Sequence, residues 1–308
     1  MTGGASLRDP RILLPFLIIT LIWSTTWIVI KGQLGPVPPI WSVSYRFLIS
    51  GAVMFALARV GGPRIGLDRT GHGLALLLGL LQFVGNYNFV YAAEQYVTSG
   101  LVAVVFALLI VPNALMARLF FGIGMSARFL AGSAVALCGV ALLFAQEIGG
   151  AAGAPGAVVT GIALTAAGVL AASCANVMQL MPAVKARSIA ALLGWAMLYG
   201  GLADGAFAWA LHGPPVGDPR PLYWLELFYL SVIASALAFF LYYRIIRQVG
   251  PAEAAYSSVL IPILAMAIST FAEAYRWTAF AAAGALLALA GLVIALGARR
   301  IAPPPPAD

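Results

Sequence analysis

Residues 12–30 read ILLPFLIITLIWSTTWIVI, nineteen positions without a charge. At about 1.5 Å per helical residue, such a run crosses the roughly 30 Å hydrocarbon core of a bilayer. It is too long for the core of a cleavable secretion signal and leads directly into a second apolar run, so no signal peptide is expected. Working outward, further runs of near that length fall at 40–58, 73–93, 100–120, 128–146, 157–181, 189–211, 222–243, 254–272 and 277–298. The joints carry turn chemistry, among them Gly35-Pro36-Val37-Pro38-Pro39, Gly61-Gly62-Pro63, Gly213-Pro214-Pro215 and Gly250-Pro251. They are too short to hold a soluble domain. The expected fold is an all-α polytopic membrane protein of ten transmembrane helices.

Composition agrees with that reading. Of 308 residues, 62% are hydrophobic and 9% charged, whereas a soluble domain carries about 25% charged residues. Most of the surface must therefore face lipid. The two cysteines, Cys138 and Cys174, lie inside apolar runs, so neither a disulfide framework nor a Cys-rich metal site is expected, and no cofactor is. A net charge of +7 could speak for nucleic acid, but its distribution speaks for membrane orientation. With the N-terminus in the cytoplasm, thirteen of the 17 Lys and Arg fall on the cytoplasmic side. Lys31, Arg220 and Arg276 fall outside, and Arg46 lies within the second span. That bias fits the positive-inside rule with both termini cytoplasmic, in a multi-pass protein of the cell (inner) membrane. Trp41, Trp224, Tyr275 and Trp277 then fall at the outer interface. No nucleic-acid or obligate protein partner is expected.

The chain also resembles itself. LIVPNALMARLFF (109–121) lines up with LIPILAMAISTFA (260–272) when Pro112 is set on Pro262, and the same offset of 150 sets Gly100 on Gly250. A slip of two further residues sets GSAVALCGVALLF (132–144) on GALLALAGLVIAL (284–296), with Gly132 on Gly284 and Gly139 on Gly291. Helices rich in Ala, Gly and Leu also align by composition alone; the proline match and the joint spacing are harder to obtain that way. Five helices per copy is an odd number, so the second copy enters the membrane from the opposite side, an inverted repeat of the kind transporters use. The expected organisation is a cytoplasmic segment 1–11, a first five-helix repeat 12–146, an outer linker 147–156, a second repeat 157–298 and a cytoplasmic Pro-rich tail 299–308.

With LIWSTTWIVIK (21–31), SYRFLISG (44–51) and the long stretch LSVIASALAFF to ALLALAGLVI (230–294), the chain resembles the drug/metabolite transporter superfamily, EamA type, over nearly its whole length. Within it, amino-acid exporters of the YddG type are most similar, on Trp23-Ser24-Thr25 and on aromatic content. Two departures stand out. Gly122-Ile123-Gly124 replaces the glutamate usual after the fourth span, and the family's Trp-Gly in the first span is Trp23-Ser24. The resemblance implies a ten-helix exporter of small metabolites.

An ionisable residue inside the membrane is a functional candidate by default. Arg46, six positions from the outer end of its span, reads either as an anchor for a carboxylate or as a snorkelling brace, and the brace is favoured. Asp204 is the candidate coupling residue, set against a structural hydrogen bond or shallow hydration. Glu94, Glu147, Glu226 and Glu273 fall at or near outer ends and read as solvated caps or loop anchors. With no Asp, Glu, His or Lys near the expected midplane, facilitated movement is favoured over obligate proton antiport.

Neutral polar and aromatic residues make the better site. The first span offers Trp23, Ser24 and Trp27; the third offers Gln82 and Asn86, four apart and so on one face. The sixth offers Ser173 and Asn176, and the eighth Ser235 and Phe239, again four apart. The repeat relation sets Ser24 near Ser173. Any one of these equally reads as glue between helices; as a set from four helices they favour a substrate cavity. An aromatic, sparsely polar cavity suits neutral or zwitterionic small molecules with an apolar side chain. Pro112 and Pro262 are the candidate hinges, each expected to free the carbonyl four residues earlier, at Leu108 and Ser258.

The functional expectation is a secondary transporter exporting small metabolites, amino acids with apolar or aromatic side chains among them. Multidrug or other metabolite efflux is the rival within transport. An intramembrane enzyme would need a nucleophile with its base, or metal ligands at helical spacing, and neither is in the sequence. A non-transporting scaffold is poorly served by such short loops.

Overall fold

The computed structural model describes residues 10–60, 65–150, 155–249 and 257–296, and the elements described are helices. They are α1 (Pro10–Gln33), α2 (Pro39–Val60), α3 (Arg69–Ala93), α4 (Ser99–Phe121), α5 (Ala127–Gly150), α6 (Pro155–Met178), α7 (Ile189–His212), α8 (221–249), α9 (Ser257–Ala272) and α10 (Ala279–Leu296). A single turn, Pro182–Lys185, lies between α6 and α7. Seven of the helices are long and apolar enough to cross a membrane, and Ala127–Leu143, Leu260–Ala272 and Ala279–Ala295 form shorter apolar helices. Large apolar side chains such as Leu119, Phe271 and Leu286 point outward, as a lipid solvent requires. The chain is a polytopic helical membrane protein. Residues 1–9 and 297–308, which take in most of the expected terminal segments, lie outside the described residues, as do 151–154 of the expected linker. Within that linker, α5 continues to Gly150 and α6 starts at Pro155.

Helix ends follow local chemistry. Asp68 and Ser188 cap α3 and α7, accepting hydrogen bonds from Gly71 N at 3.0 Å and Ala191 N at 3.4 Å. α4 stops at Gly122, whose φ of 66° is the left-handed cap that a glycine adopts without a Cβ clash. The residue that departs from the family's usual glutamate region thus ends a helix.

Two helices are underwound in matching places. α3 is π-helical over Gly79–Asn86 and α8 over Tyr229–Leu237, and their first residues stand 150 apart, the offset of the sequence repeat. A π turn opens the ladder and leaves carbonyls for other donors. In α8, the Ser231 carbonyl accepts from Ser50 Oγ at 2.9 Å and the Ala234 carbonyl from Trp23 Nε1 at 3.3 Å. No hydropathy pattern announced either segment.

α4 breaks at Leu108–Leu109, four residues ahead of Pro112, where Leu108 and Leu109 donate to Val105 and Phe106 carbonyls. The Leu108 carbonyl, expected to be free, accepts from Val111 N at 2.8 Å. A tight turn before the proline has re-paired it. Pro262 instead sits within the continuous helix α9.

The closest packing joins the two halves through glycines. A methyl at Gly51 would meet the Leu198 N at 3.2 Å, and one at Gly201 the Leu48 N at 2.9 Å; at offset 150 these are one contact with the halves exchanged. Between α5 and α10, Gly132 lies against Gly291 and Ala295, and Gly139 against Gly284 and Ala288. Contacts that map onto themselves when the copies swap are what a two-fold relation between them produces.

Candidate functional site

Where α1, α3, α4, α6, α8 and α9 meet, the helices leave a cavity with about 860 Å³ of space between atoms, part of it open to the outside. Much of the lining is aromatic: Trp23 packs edge-on to Phe239 and Tyr242, with ring centres 5.6 and 4.9 Å away, and Trp27 lies 5.1 Å from Phe106. Gln82 and Asn86 enter from the π segment of α3, Asn176 from α6, and Pro262 from α9. Two polar atoms on the lining have no partner in the protein, the Trp27 Nε1 donor and the Asn86 Oδ1 acceptor. The cavity thus offers a large apolar contact area with a few amide side chains, Gln82, Asn86 and Asn176, set into it.

Of the residues singled out from sequence, Trp23, Trp27, Gln82, Asn86, Asn176, Phe239 and Pro262 line the cavity. Ser24 is buried with its hydroxyl donating to the Thr20 carbonyl at 2.6 Å, and Ser173 is buried with its hydroxyl unpartnered. Neither is on the lining, nor is Pro112. Ser235 accepts from Arg46 Nε at 2.9 Å, behind the wall. Asp204 is buried between α7 and α3, where Asn88 Nδ2 donates to its Oδ1 at 2.6 Å. Sequence reasoning missed Phe106, Tyr87 and Tyr242 as lining residues. Phe106 sits in a featureless apolar run, but Tyr242 lies one turn after Phe239 on the same helix and could have been found by extending that stripe.

The charged residues depart furthest from expectation. Arg46 does not snorkel: it is fully buried, stacked over the Tyr87 ring at 4.5 Å. Glu94 is fully buried as well, and not a solvated cap, because the segment from 94 to 98 folds back over the helix ends and Lys31 bonds its carbonyls at Glu94 and Val97. Glu273 accepts from Ser99 N, from Ser99 Oγ at 2.5 Å and from Ser269 Oγ at 2.6 Å, tying the end of α9 to the start of α4. These contacts close the end of the bundle where α1 and α3 finish. The cavity reaches the other way, as far as Ser257, the first residue of α9.

The two-fold pattern of contacts has a counterpart among known proteins. The model of the EamA-like transporter family matches twice, over residues 11–145 and again over 159–297. The chain belongs to this family. The EamA resemblance read from the sequence therefore holds. Among relatives, a protein of Escherichia coli K12 named "Probable amino-acid metabolite efflux pump" is 24% identical over 290 residues, 90% of this chain and 92% of its own. The "Uncharacterized inner membrane transporter YedA" of the same organism is 29% identical, covering 81% of this chain and 79% of its own. A solved structure 21% identical to this chain superposes with a TM-score of 0.69, covering 92% of this chain and 96% of that one, a likeness that speaks for the fold. This member of the EamA-like transporters thus combines the family's paired halves with a cavity walled by both.

Proposed function

We propose that the protein is a secondary transporter of the inner membrane that exports small metabolites, amino acids with apolar or aromatic side chains among them. Ten spans form two inverted five-helix repeats with both termini cytoplasmic, and substrate moves by alternating access through the cavity between the repeats. The observation that carries this reading is the aromatic cavity itself, lined from both halves with Gln82, Asn86 and Asn176 set into it. With the basic residues setting the cytoplasmic side, the end tied by Glu273 and Lys31 is the outer one. The efflux-pump name of a relative covering most of the chain supports the substrate class. Trp23, Trp27 and Phe239 supply apolar contact, while Asn86, Asn176 and Gln82 supply polar contact.

The test is efflux from proteoliposomes loaded with an amino-acid mixture, with and without an imposed pH gradient. Efflux of several apolar or aromatic amino acids, independent of the gradient and reduced by Trp23→Ala, supports a facilitator. Gradient-accelerated efflux abolished by Asp204→Asn assigns coupling to Asp204. No amino acid leaving faster than from protein-free liposomes overturns the substrate class and turns the search to drugs and other metabolites.

A further inference from the structure

One helical turn beyond the cavity, toward its closed end, lies a group of buried polar side chains that the lining does not use. Val90 lines the cavity and Glu94 follows it by four residues on α3; Ile30 lines it and Gln33 follows by three on α1. Tyr87 forms the wall between: one face borders the cavity, and the Arg46 guanidinium stacks on the ring at 4.5 Å.

Each of these polar groups is held by the protein yet left incomplete. Arg46 donates through Nε to Ser235 Oγ at 2.9 Å and more loosely through Nη1 to Tyr91 Oη at 3.4 Å, and its Nη2 has no partner. Tyr91 donates onward to Gln33 Oε1 at 2.8 Å, and the Gln33 Nε2 has no partner. Neither oxygen of the Glu94 carboxyl has one. All three side chains are 1% exposed or less. Tyr91, which Arg46 and Gln33 both contact, lies three residues before Glu94, whose backbone carbonyl Lys31 binds. Yet no ion pair forms among them within the described residues. Buried polar and ionic groups normally find partners, and here Arg46 Nη2, Gln33 Nε2 and both Glu94 carboxyl oxygens have none among the described residues. A free cationic donor and a free carboxyl, linked through Tyr91 at one end of the bundle, are together the complement of a molecule that carries both an anion and a cation.

We propose that this cluster is a zwitterion subsite: Arg46 Nη2, with Gln33 Nε2, takes the α-carboxylate of an amino acid, and Glu94 takes its α-ammonium. The inference rests on the amino-acid reading above and gives it a recognition chemistry. The apolar side chain of the substrate stays among Trp23, Trp27 and Phe239, and a shift of the Tyr87 and Val90 side chains joins the two compartments as substrate passes outward. Specificity then divides by compartment. The aromatic cavity tolerates many side chains, while the subsite demands both charged groups.

Three ligands sharing one phenyl ring separate the possibilities: phenylalanine, 2-phenylethylamine, which lacks the carboxylate, and 3-phenylpropionate, which lacks the ammonium. Binding to the full-length protein in lipid nanodiscs is measured by titration calorimetry. Phenylalanine is expected to bind at least tenfold tighter than either analogue. Glu94→Gln should bring phenylalanine down to the level of 3-phenylpropionate and leave the latter's affinity unchanged. Arg46→Gln should bring it down to the level of 2-phenylethylamine; if that variant does not fold, the ligand series and Glu94→Gln decide. Equal binding of all three ligands overturns the subsite and leaves the aromatic cavity standing. Uniform weakening of all three by Glu94→Gln, or no change in the pattern, equally overturns it. Absence of binding by all three overturns the subsite and the amino-acid reading together.

Discussion

Asn88 and Asp204 show how one side chain changes the meaning of another. From sequence, Asp204 was an isolated acid in an apolar helix, a candidate for coupling. In the fold it accepts from Asn88 Nδ2 at 2.6 Å and has one oxygen, Oδ2, unpartnered. Asn88→Ala therefore leaves a buried carboxyl with no donor, and is expected to cost about 1–3 kcal/mol of stability, measured as a lowered midpoint of thermal unfolding in detergent. Asp68 is a simpler case at the surface. Its bidentate pair with Arg187, at 2.6 and 2.8 Å, joins the start of α3 to the segment before α7 and holds the Asp68 carboxyl below its usual range. A depressed folded-state value contributes stability above the unfolded value of about 4 and loses it as pH falls through the folded one. Thermal stability should thus fall on acidification below about pH 4, and Asp68→Asn should remove that part of the dependence. With the Asp68 side chain 62% exposed, the pair should also weaken with salt. Neither pairing was legible, because partners 116 and 119 residues apart leave no local signal.

At the scale of elements, the glycine faces carry the join between halves. Gly139 on α5 meets the backbone of Gly284 and Ala288 on α10, with no side chain between to yield. Gly139→Leu must push the two helices apart, and overpacking of this kind costs about 1–3 kcal/mol or more. Leu137, two residues away and exposed, serves as the control: Leu137→Ala should leave the unfolding midpoint nearly unchanged. The alignment of Gly132 with Gly284 and of Gly139 with Gly291 was visible in the sequence; that these four residues face one another was not. The π segments mark the opposite case. Gly79–Asn86 and Tyr229–Leu237 read as ordinary apolar helix, since one added residue per turn alters no composition. They turn Gln82 and Asn86 into the cavity and offer the Ser231 and Ala234 carbonyls to Ser50 and Trp23.

Across the whole molecule, two ends differ. At one, Glu273 binds Ser99 and Ser269, and Lys31 binds the carbonyls of Glu94 and Val97; at the other, the cavity extends to Ser257. Glu273→Gln weakens the first set by removing its charge-assisted bonds, and should shift the population toward opening at that end. A cysteine at Ala103, one turn below Ser99 on the lining, reports it in a variant lacking Cys138 and Cys174. Labelling of Ala103→Cys from the outer face by a membrane-impermeant maleimide should rise several-fold when Glu273→Gln is added. The sequence by itself determined the helical membrane class, the family and the aromatic stripe of Trp23, Trp27 and Phe239. These follow from local quantities: an apolar run of bilayer length, a repeat offset, a helical period. The burial of Arg46 and Glu94, the break at Leu108 and the route from cavity to closed end were decided only by tertiary structure. A charge near a helix end is solvated or buried according to what folds over it, and that covering comes from helices and joints far along the chain.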